Sequence, residues 1–362
     1  MKKKILLLSN SSDGLYGFRK ELLCVLVKQC DVIIAVHNCG WIDELKNLGS
    51  DVIETPVDRR GMNPAKDLKL LLQYIQIMKR EKPDMVITYT IKPNIYGGMA
   101  CRLLGIPYAA NITGLGTTFQ KPGLLRGFVT WMYRVALKTA SVVFFENREN
   151  MEILRGLDIV REEQCWLLNG AGVNLEHFYP APYPVEDTTV RFLFVGRIMA
   201  EKGINELLEA MKRLVSEGCD CTLDVLGYAE EDYTGIIREC EEAGWLRFHG
   251  YQNDVRPFIE AAHCFVLPSW HEGMANTNLE CAAMARPVIT SNIHGCKEAV
   301  EAGVSGLLCE AKNADSLYET MRRFYDLSHE ERQVMGLAGR AHMERVFDKK
   351  KVVEETVKGL GL

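Results

Sequence analysis

Short apolar runs rich in β-branched residues recur along this 362-residue chain at positions 5–8, 32–36, 85–88, 108–112 and 142–145. Most alternate with longer segments of helical period, such as residues 66–82. Each run is apolar at successive positions rather than at alternate ones, so each must be buried on both faces, as parallel strands covered by helices are. The pattern restarts after a proline-rich stretch, Pro180-Ala181-Pro182-Tyr183-Pro184, which reads as an interdomain linker. Runs at 192–195, 222–226, 264–267 and 288–290 form the second series, with helices expected near residues 205–217, 232–243 and 276–285. Two Rossmann-like α/β domains follow, with a cleft between them as the natural place for a ligand. The expected divisions are residues 1–180, residues 181–345, and a terminal helix over 346–362 packing back toward the first domain.

Several function classes fall away. Residues 1–10 hold three lysines and then only four consecutive apolar residues, too few for a secretory signal. The longest apolar region, 128–145, is interrupted by Arg134 and Lys138 and is no membrane span. Twelve cysteines are spread from Cys24 to Cys309 without a CxxC pair, so free thiols in a reducing cytoplasm are expected. No Asp-x-Asp pair or His cluster has metal-ligand spacing, and no metal or other cofactor is expected.

Charge divides unevenly. Residues 1–180 hold 23 Lys and Arg against 18 Asp and Glu, leaving 20 against 30 for the remainder. A basic first half suits an anionic partner, either phospholipid or a lipid-linked diphosphate. Nucleic acid is not expected, because no recognition helix or aromatic platform is visible. Within that half, residues 117–140 interleave Leu124, Leu125, Phe128, Val129, Trp131, Met132 and Val135 with Lys121, Arg126, Arg134 and Lys138. Such a helix fits a membrane interface or, equally, an amphipathic packing role with a solvated basic face.

Three stretches carry candidate chemistry. After the first run, Ser9 to Gly17 includes Gly14 and Gly17 ahead of a helix expected over 18–28, where backbone N–H groups could approach an anion; an ordinary turn reads as well. After the run at 192–195, Arg197 and Lys202 leave the carboxyl end of a parallel strand, where open α/β sheets bind ligands. Two cations there suit a diphosphate. After the run at 264–267 come Glu272 and Glu280, eight residues apart. On one continuous helix they would differ by about 80° in azimuth. Gly273 and the capping candidates Asn276 and Thr277 instead put Glu272 on a loop and Glu280 inside a helix. Carboxylates on either side of a helix amino terminus suit a phosphate carrying sugar hydroxyls.

With these motifs in this order, and with Pro287-Val288-Ile289 and a Gly306-Leu307-Leu308 turn behind them, nearly the whole chain resembles the family 4 glycosyltransferases, retaining enzymes of the GT-B fold. Through Thr90-Ile91-Lys92-Pro93-Asn94, Asn111 to Gly116 and Phe144-Phe145-Glu146-Asn147, the first half is similar to members that build bacterial capsule, exopolysaccharide and lipid-linked oligosaccharide. The resemblance implies a hexosyl- or N-acetylhexosaminyltransferase at the inner face of the cell membrane. It would use a nucleotide sugar, a uridine diphosphate sugar first among them, and a polyprenyl-diphosphate-linked acceptor. The first domain would bind acceptor and the membrane surface, and the second the donor.

The resemblance also implies residue roles. Arg197 and Lys202 would hold the diphosphate, Glu280 the ribose and Glu272 the transferred sugar. The amides of Gly273, Met274, Ala275 and Asn276, with Thr277 beside them, would support that sugar or the distal phosphate. Gly14 would lie against the diphosphate, and Gly227 and Tyr251 would border the base. Many members place a His in the loop matching Asn111 to Gly116; this chain has none there, which leaves Asn111 and Thr113 as the acceptor-side candidates. A sugar-nucleotide 2-epimerase of the same fold and a non-catalytic sugar-nucleotide-binding partner are the alternative readings.

Overall fold

A computed structural model describes residues 2–57, 63–116, 119, 123–186 and 189–362. Thr117 and Lys121 of the interleaved segment lie outside the described residues. The chain forms two compact units, one of Met1–Ala171 with Lys350–Leu362, the other of Gly172–Lys349.

The first unit runs β1 (Lys4–Ser9), α1 (Ser12–Gln29), β2 (Asp31–Val36), α2 (Ile42–Asn47), β3 (Asp51–Glu54), α3 (Pro64–Glu81) and β4 (Met85–Tyr89). It continues with α4 (Gly98–Leu104), β5 (Tyr108–Ile112), α5 (Leu124–Leu137), β6 (Val142–Phe145), α6 (Arg148–Gly156) and β7 (Cys165–Leu167). The strands make one parallel sheet in the order β3-β2-β1-β4-β5-β6-β7. Burial on both faces explains the unbroken apolar runs: in β1, Leu6 and Leu8 enter one core, while Ile5 and Leu7 enter another on the opposite face. The second core also receives Val352, Val353 and Leu360 from the carboxyl-terminal segment.

The second unit contains β8 (Val190–Val195), α7 (Ile204–Ser216), β9 (Cys221–Leu226), α8 (Thr234–Glu242), β10 (Leu246–Gly250), α9 (Arg256–Ala261) and β11 (Cys264–Leu267). Then come α10 (Asn276–Ala283), β12 (Val288–Ser291), β13 (Gly306–Cys309), α11 (Ala314–Tyr325) and α12 (His329–His342), and last α13 (Lys349–Gly359), most of which belongs to the first unit. Its parallel sheet has the order β10-β9-β8-β11-β12-β13. In both sheets the chain builds outward on one side of the first strand and then crosses to its other side. Ligands of open α/β sheets bind at that reversal, beyond the strand carboxyl ends.

Several local expectations change in the folded chain. The stretch 180–184, read as a linker, is fastened inside the second unit. There the buried Arg286 donates to the Ala181 and Pro182 carbonyls at 3.1 and 2.6 Å, and the Tyr183 hydroxyl donates to the His263 carbonyl at 2.9 Å. Gly306-Leu307-Leu308, read as a turn, is strand β13, paired with β12. All twelve cysteines are unpaired thiols, nine of them buried. No helix among the described residues is long and apolar enough to cross a membrane.

Candidate active site

The reversal in the second sheet lies between β8 and β11. Beyond β8 the chain forms a single 3-10 turn, Ala200–Lys202, and then Gly203 caps α7 with φ of 74°. A Cβ on Gly203 would stand 2.1 Å from the Pro268 carbonyl oxygen, so only glycine lets the loops after β8 and β11 come this close. The consequence is chemical. Lys202 from the first loop ion-pairs with Glu272 Oε1 from the second, and the Ser269 hydroxyl donates to that same oxygen at 2.8 Å.

Arg197 emerges two residues after β8 and pairs with Glu230, in the loop after β9. That loop is tied to the first: the Ile198 amide donates to the Tyr228 carbonyl at 3.0 Å, and the Ala200 amide to Glu231 Oε2 at 2.8 Å. Gly227, with φ of 138°, makes the approach possible, because a Cβ there would sit 1.8 Å from the Gly196 carbonyl oxygen. Tyr251 follows the edge strand β10 and is exposed.

Trp270 braces the Glu272 loop. Its amide donates to the Glu201 carbonyl at 2.9 Å, its indole N–H donates to Glu206 Oε1 at 3.0 Å, and the Lys312 ammonium lies 4.8 Å from its ring centre. Gly295, with φ of 84°, packs against the Glu272 and Gly273 carbonyls from behind and accepts the Ala275 amide at 2.7 Å. The Ala275 amide is thus committed to the protein. Met274 and Ala275 direct their side chains into the core.

As the glycine and helix signals imply, Glu272 lies on a loop and Glu280 within α10. Capping differs from the expectation. Ala275 occupies the cap position and no side chain caps the helix, so neither Asn276 nor Thr277 performs that role. Asn276 Oδ1 is instead buried without a hydrogen-bond partner. Buried polar atoms are rarely left so, and one here points to a donor that the chain does not itself supply. Burial pushes the Glu280 carboxyl up to about 7, an effect partly offset by the Lys349 charge.

In the first unit, helix α1 starts earlier than the glycines suggest. Ser11 caps it, and its hydroxyl accepts the Gly14 amide at 3.2 Å, so that amide belongs to the cap. Asn111 is buried; its side-chain amide donates to the Thr88 carbonyl at 3.2 Å, and its own carbonyl accepts from Asn94. The Asn111 side chain thus clamps β5 to β4, whereas Thr113, the other acceptor-side candidate, is half-buried just past β5. Thr90, just past β4 at the reversal of this sheet, holds a φ of 72°, a strained state for a β-branched residue.

The arrangement thus brings Arg197, Lys202, Glu272 and the start of α10 to one sheet reversal. Sequence reasoning missed Glu230, hidden in an acidic run that reads as solvated, and Gly295, whose only signal is its place shortly after an apolar run. Among the described residues no three His, Cys, Asp or Glu side chains gather as a metal site.

Residues 4–147 match the model described as glycosyl transferase 4-like, and residues 189–326 that described as glycosyl transferases group 1. An N,N'-diacetylbacillosaminyl-diphospho-undecaprenol alpha-1,3-N-acetylgalactosaminyltransferase of Campylobacter jejuni is 26% identical over 329 residues, covering 86% of each chain. A UDP-Gal:alpha-D-GlcNAc-diphosphoundecaprenol alpha-1,3-galactosyltransferase of Escherichia coli is 27% identical, covering 83% of this chain and 81% of the relative. The crystal structure of Anabaena Alr3699/HepE in complex with UDP and glucose superposes with a TM-score of 0.80 at 16% identity, over 99% of both chains. At that identity the likeness shows the fold, which is GT-B.

Proposed function

Since this chain belongs to the glycosyltransferases of the group 1 and 4-like kind, we propose that it moves a sugar, with retention of configuration, from a uridine diphosphate donor to a polyprenyl-diphosphate-linked saccharide in bacterial surface polysaccharide assembly. The observation that carries the proposal is the Lys202–Glu272 ion pair, which joins the loops after β8 and β11 ahead of α10, with Arg197 on the same loop as Lys202. Relatives named for transfer to undecaprenyl-diphosphate-linked sugars, and one named for capsular polysaccharide biosynthesis in Staphylococcus aureus, support the acceptor class.

In this reading the donor diphosphate exchanges places with the two carboxylates. Arg197 leaves Glu230 and Lys202 leaves Glu272, and both cations turn to the phosphate oxygens. Charge that builds on the departing diphosphate is then met by fixed cations and by the amino-terminal end of α10, so the chain supplies this stabilisation without a metal. Glu272, released from Lys202, accepts hydrogen bonds from the transferred sugar, and a sugar hydroxyl donates to the orphaned Asn276 Oδ1. Glu280 holds the ribose, and Gly227 and Tyr251 border the base. The acceptor hydroxyl arrives on the face the diphosphate leaves, and a leaving phosphate oxygen takes its proton. Because the acceptor is lipid-borne, the reaction runs at the inner membrane face, with the basic first domain toward the bilayer.

Proton NMR of the protein with a panel of uridine diphosphate sugars, with and without bacterial polyprenol-linked lipid, tests the proposal. Lipid-dependent donor loss, or slow release of an α-sugar from an α-donor, is the expected result. Conversion at C2 without acceptor replaces transfer with epimerisation, and inert donors overturn the nucleotide assignment.

A further inference from the structure

Helix α5 presents an apolar face that nothing among the described residues covers. Met132, Tyr133, Ala136 and Leu137 turn into the first unit. On the opposite side Leu124 is 96% exposed, Phe128 56% and Trp131 55%, and the two rings stack with centroids 6.1 Å apart. At 100° per residue these three fall within about 60° of one another. A helix with a buried apolar stripe ordinarily turns polar residues outward, so an outward stripe of Leu, Phe and Trp needs an apolar partner.

Charge selects that partner. The 61 residues from 85 to 145 contain six Lys or Arg and no Asp or Glu. On α5 itself the cations frame the stripe. Arg134 lies at its edge and donates to the Leu157 carbonyl at 2.7 Å while remaining exposed, and Lys138 stands exposed just beyond the last turn. Another protein could supply an apolar patch, but exposed Arg134 and Lys138 beside stacked Trp and Phe rings match an anionic lipid surface, where rings sit at headgroup depth and cations meet phosphates.

We propose that the Leu124, Phe128 and Trp131 face of α5 is the element that docks this chain on an anionic phospholipid bilayer. The inference deepens the membrane part of the transfer reading, but it rests on the helix surface alone. Docked this way, α5 lies along the bilayer plane with its buried face toward the first unit.

The test is co-flotation of the full chain with phosphatidylglycerol–phosphatidylethanolamine vesicles, with brominated lipid as a depth probe. The expected result is flotation that weakens in high salt, tryptophan quenching that Trp131→Phe largely removes, and at least tenfold less binding for Phe128→Ser with Trp131→Ser at an unchanged melting temperature. Three results overturn the proposal: no flotation of the wild-type chain, equal flotation of the double variant, or a dimer in sedimentation velocity that the same substitutions dissociate, which makes a second copy the occupant. Donor hydrolysis without vesicles, expected to be equal in wild type and double variant, reports on the transfer reading separately.

Discussion

Lys202 and Glu272, seventy residues apart in sequence, are joined as an ion pair with both side chains largely withdrawn from water. They leave adjacent strands of the second sheet, and the close approach permitted by Gly203 brings them together. A cation so held is oriented before any ligand arrives, and in the proposed transfer its carboxylate partner is the group the donor phosphate displaces.

Lys202→Ala is expected to lower turnover by roughly 100- to 1000-fold, the usual cost of losing one such donor to developing charge. It also strands Glu272, so the melting temperature should fall, whereas a Lys202→Ala, Glu272→Gln double variant should recover stability without recovering turnover. Thermal melts beside initial-rate assays check both parts. Wild-type turnover in the single variant removes Lys202 from the mechanism.

Arg197 is paired differently, with Glu230 on the neighbouring loop and with more solvent about it. Glu230→Gln should free the guanidinium and tighten uridine diphosphate binding by about three- to tenfold, a change on the scale of a partly exposed ion pair. Calorimetric titration of both proteins measures it. Weaker binding in the variant would show that Glu230 orients Arg197 rather than competing for it.

Glu280 gives a pH dependence whose sign follows from burial. Its folded pKa is raised from 4.5 to about 7, so the folded chain holds this proton across a range in which the unfolded chain releases it. Stability from this group therefore falls as pH rises from about 4.5 to 7, by at most about 3 kcal/mol, and stays low above that range. Glu280→Gln should raise the melting temperature at pH 8 and flatten the profile while weakening donor affinity. Parallel melts from pH 5 to 8 decide it, and identical profiles would mean that Glu280 titrates normally.

Gly295→Ala should combine strain at a φ of 84° with a Cβ placed 2.6 Å from the Glu272 carbonyl oxygen. Gly244 shares the backbone state, with φ of 83°, but would meet nothing within 4 Å, so Gly244→Ala isolates the strain, about 1–3 kcal/mol. Turnover should fall at least tenfold in the first variant and hardly at all in the second, because a carboxylate moved by even 1 Å loses its alignment. Equal rates would show that the loop relaxes around the new methyl group.

What the sequence determined by itself was whatever rests on local pattern. Strands buried on both faces must be apolar throughout, so β6 and β11 are legible to the residue. Short strands with mixed exposure, such as β3 and β7, leave no such trace. Positions within a motif were also legible: Glu272 on its loop and Glu280 in its helix follow from where Gly273 interrupts the chain. Tertiary structure alone decided the partners. Asn111 could be recognised as a clamp only once β4 lay beside β5, the Pro180–Pro184 stretch as part of the second unit only through Arg286, and Glu230 as the counter-ion of Arg197 only through the closeness that Gly227 allows. Sequence spacing encodes neighbours within one helix or strand, whereas contacts between loops that end different strands depend on strand order and on which backbone segments can touch, and those arise only when the sheet is built.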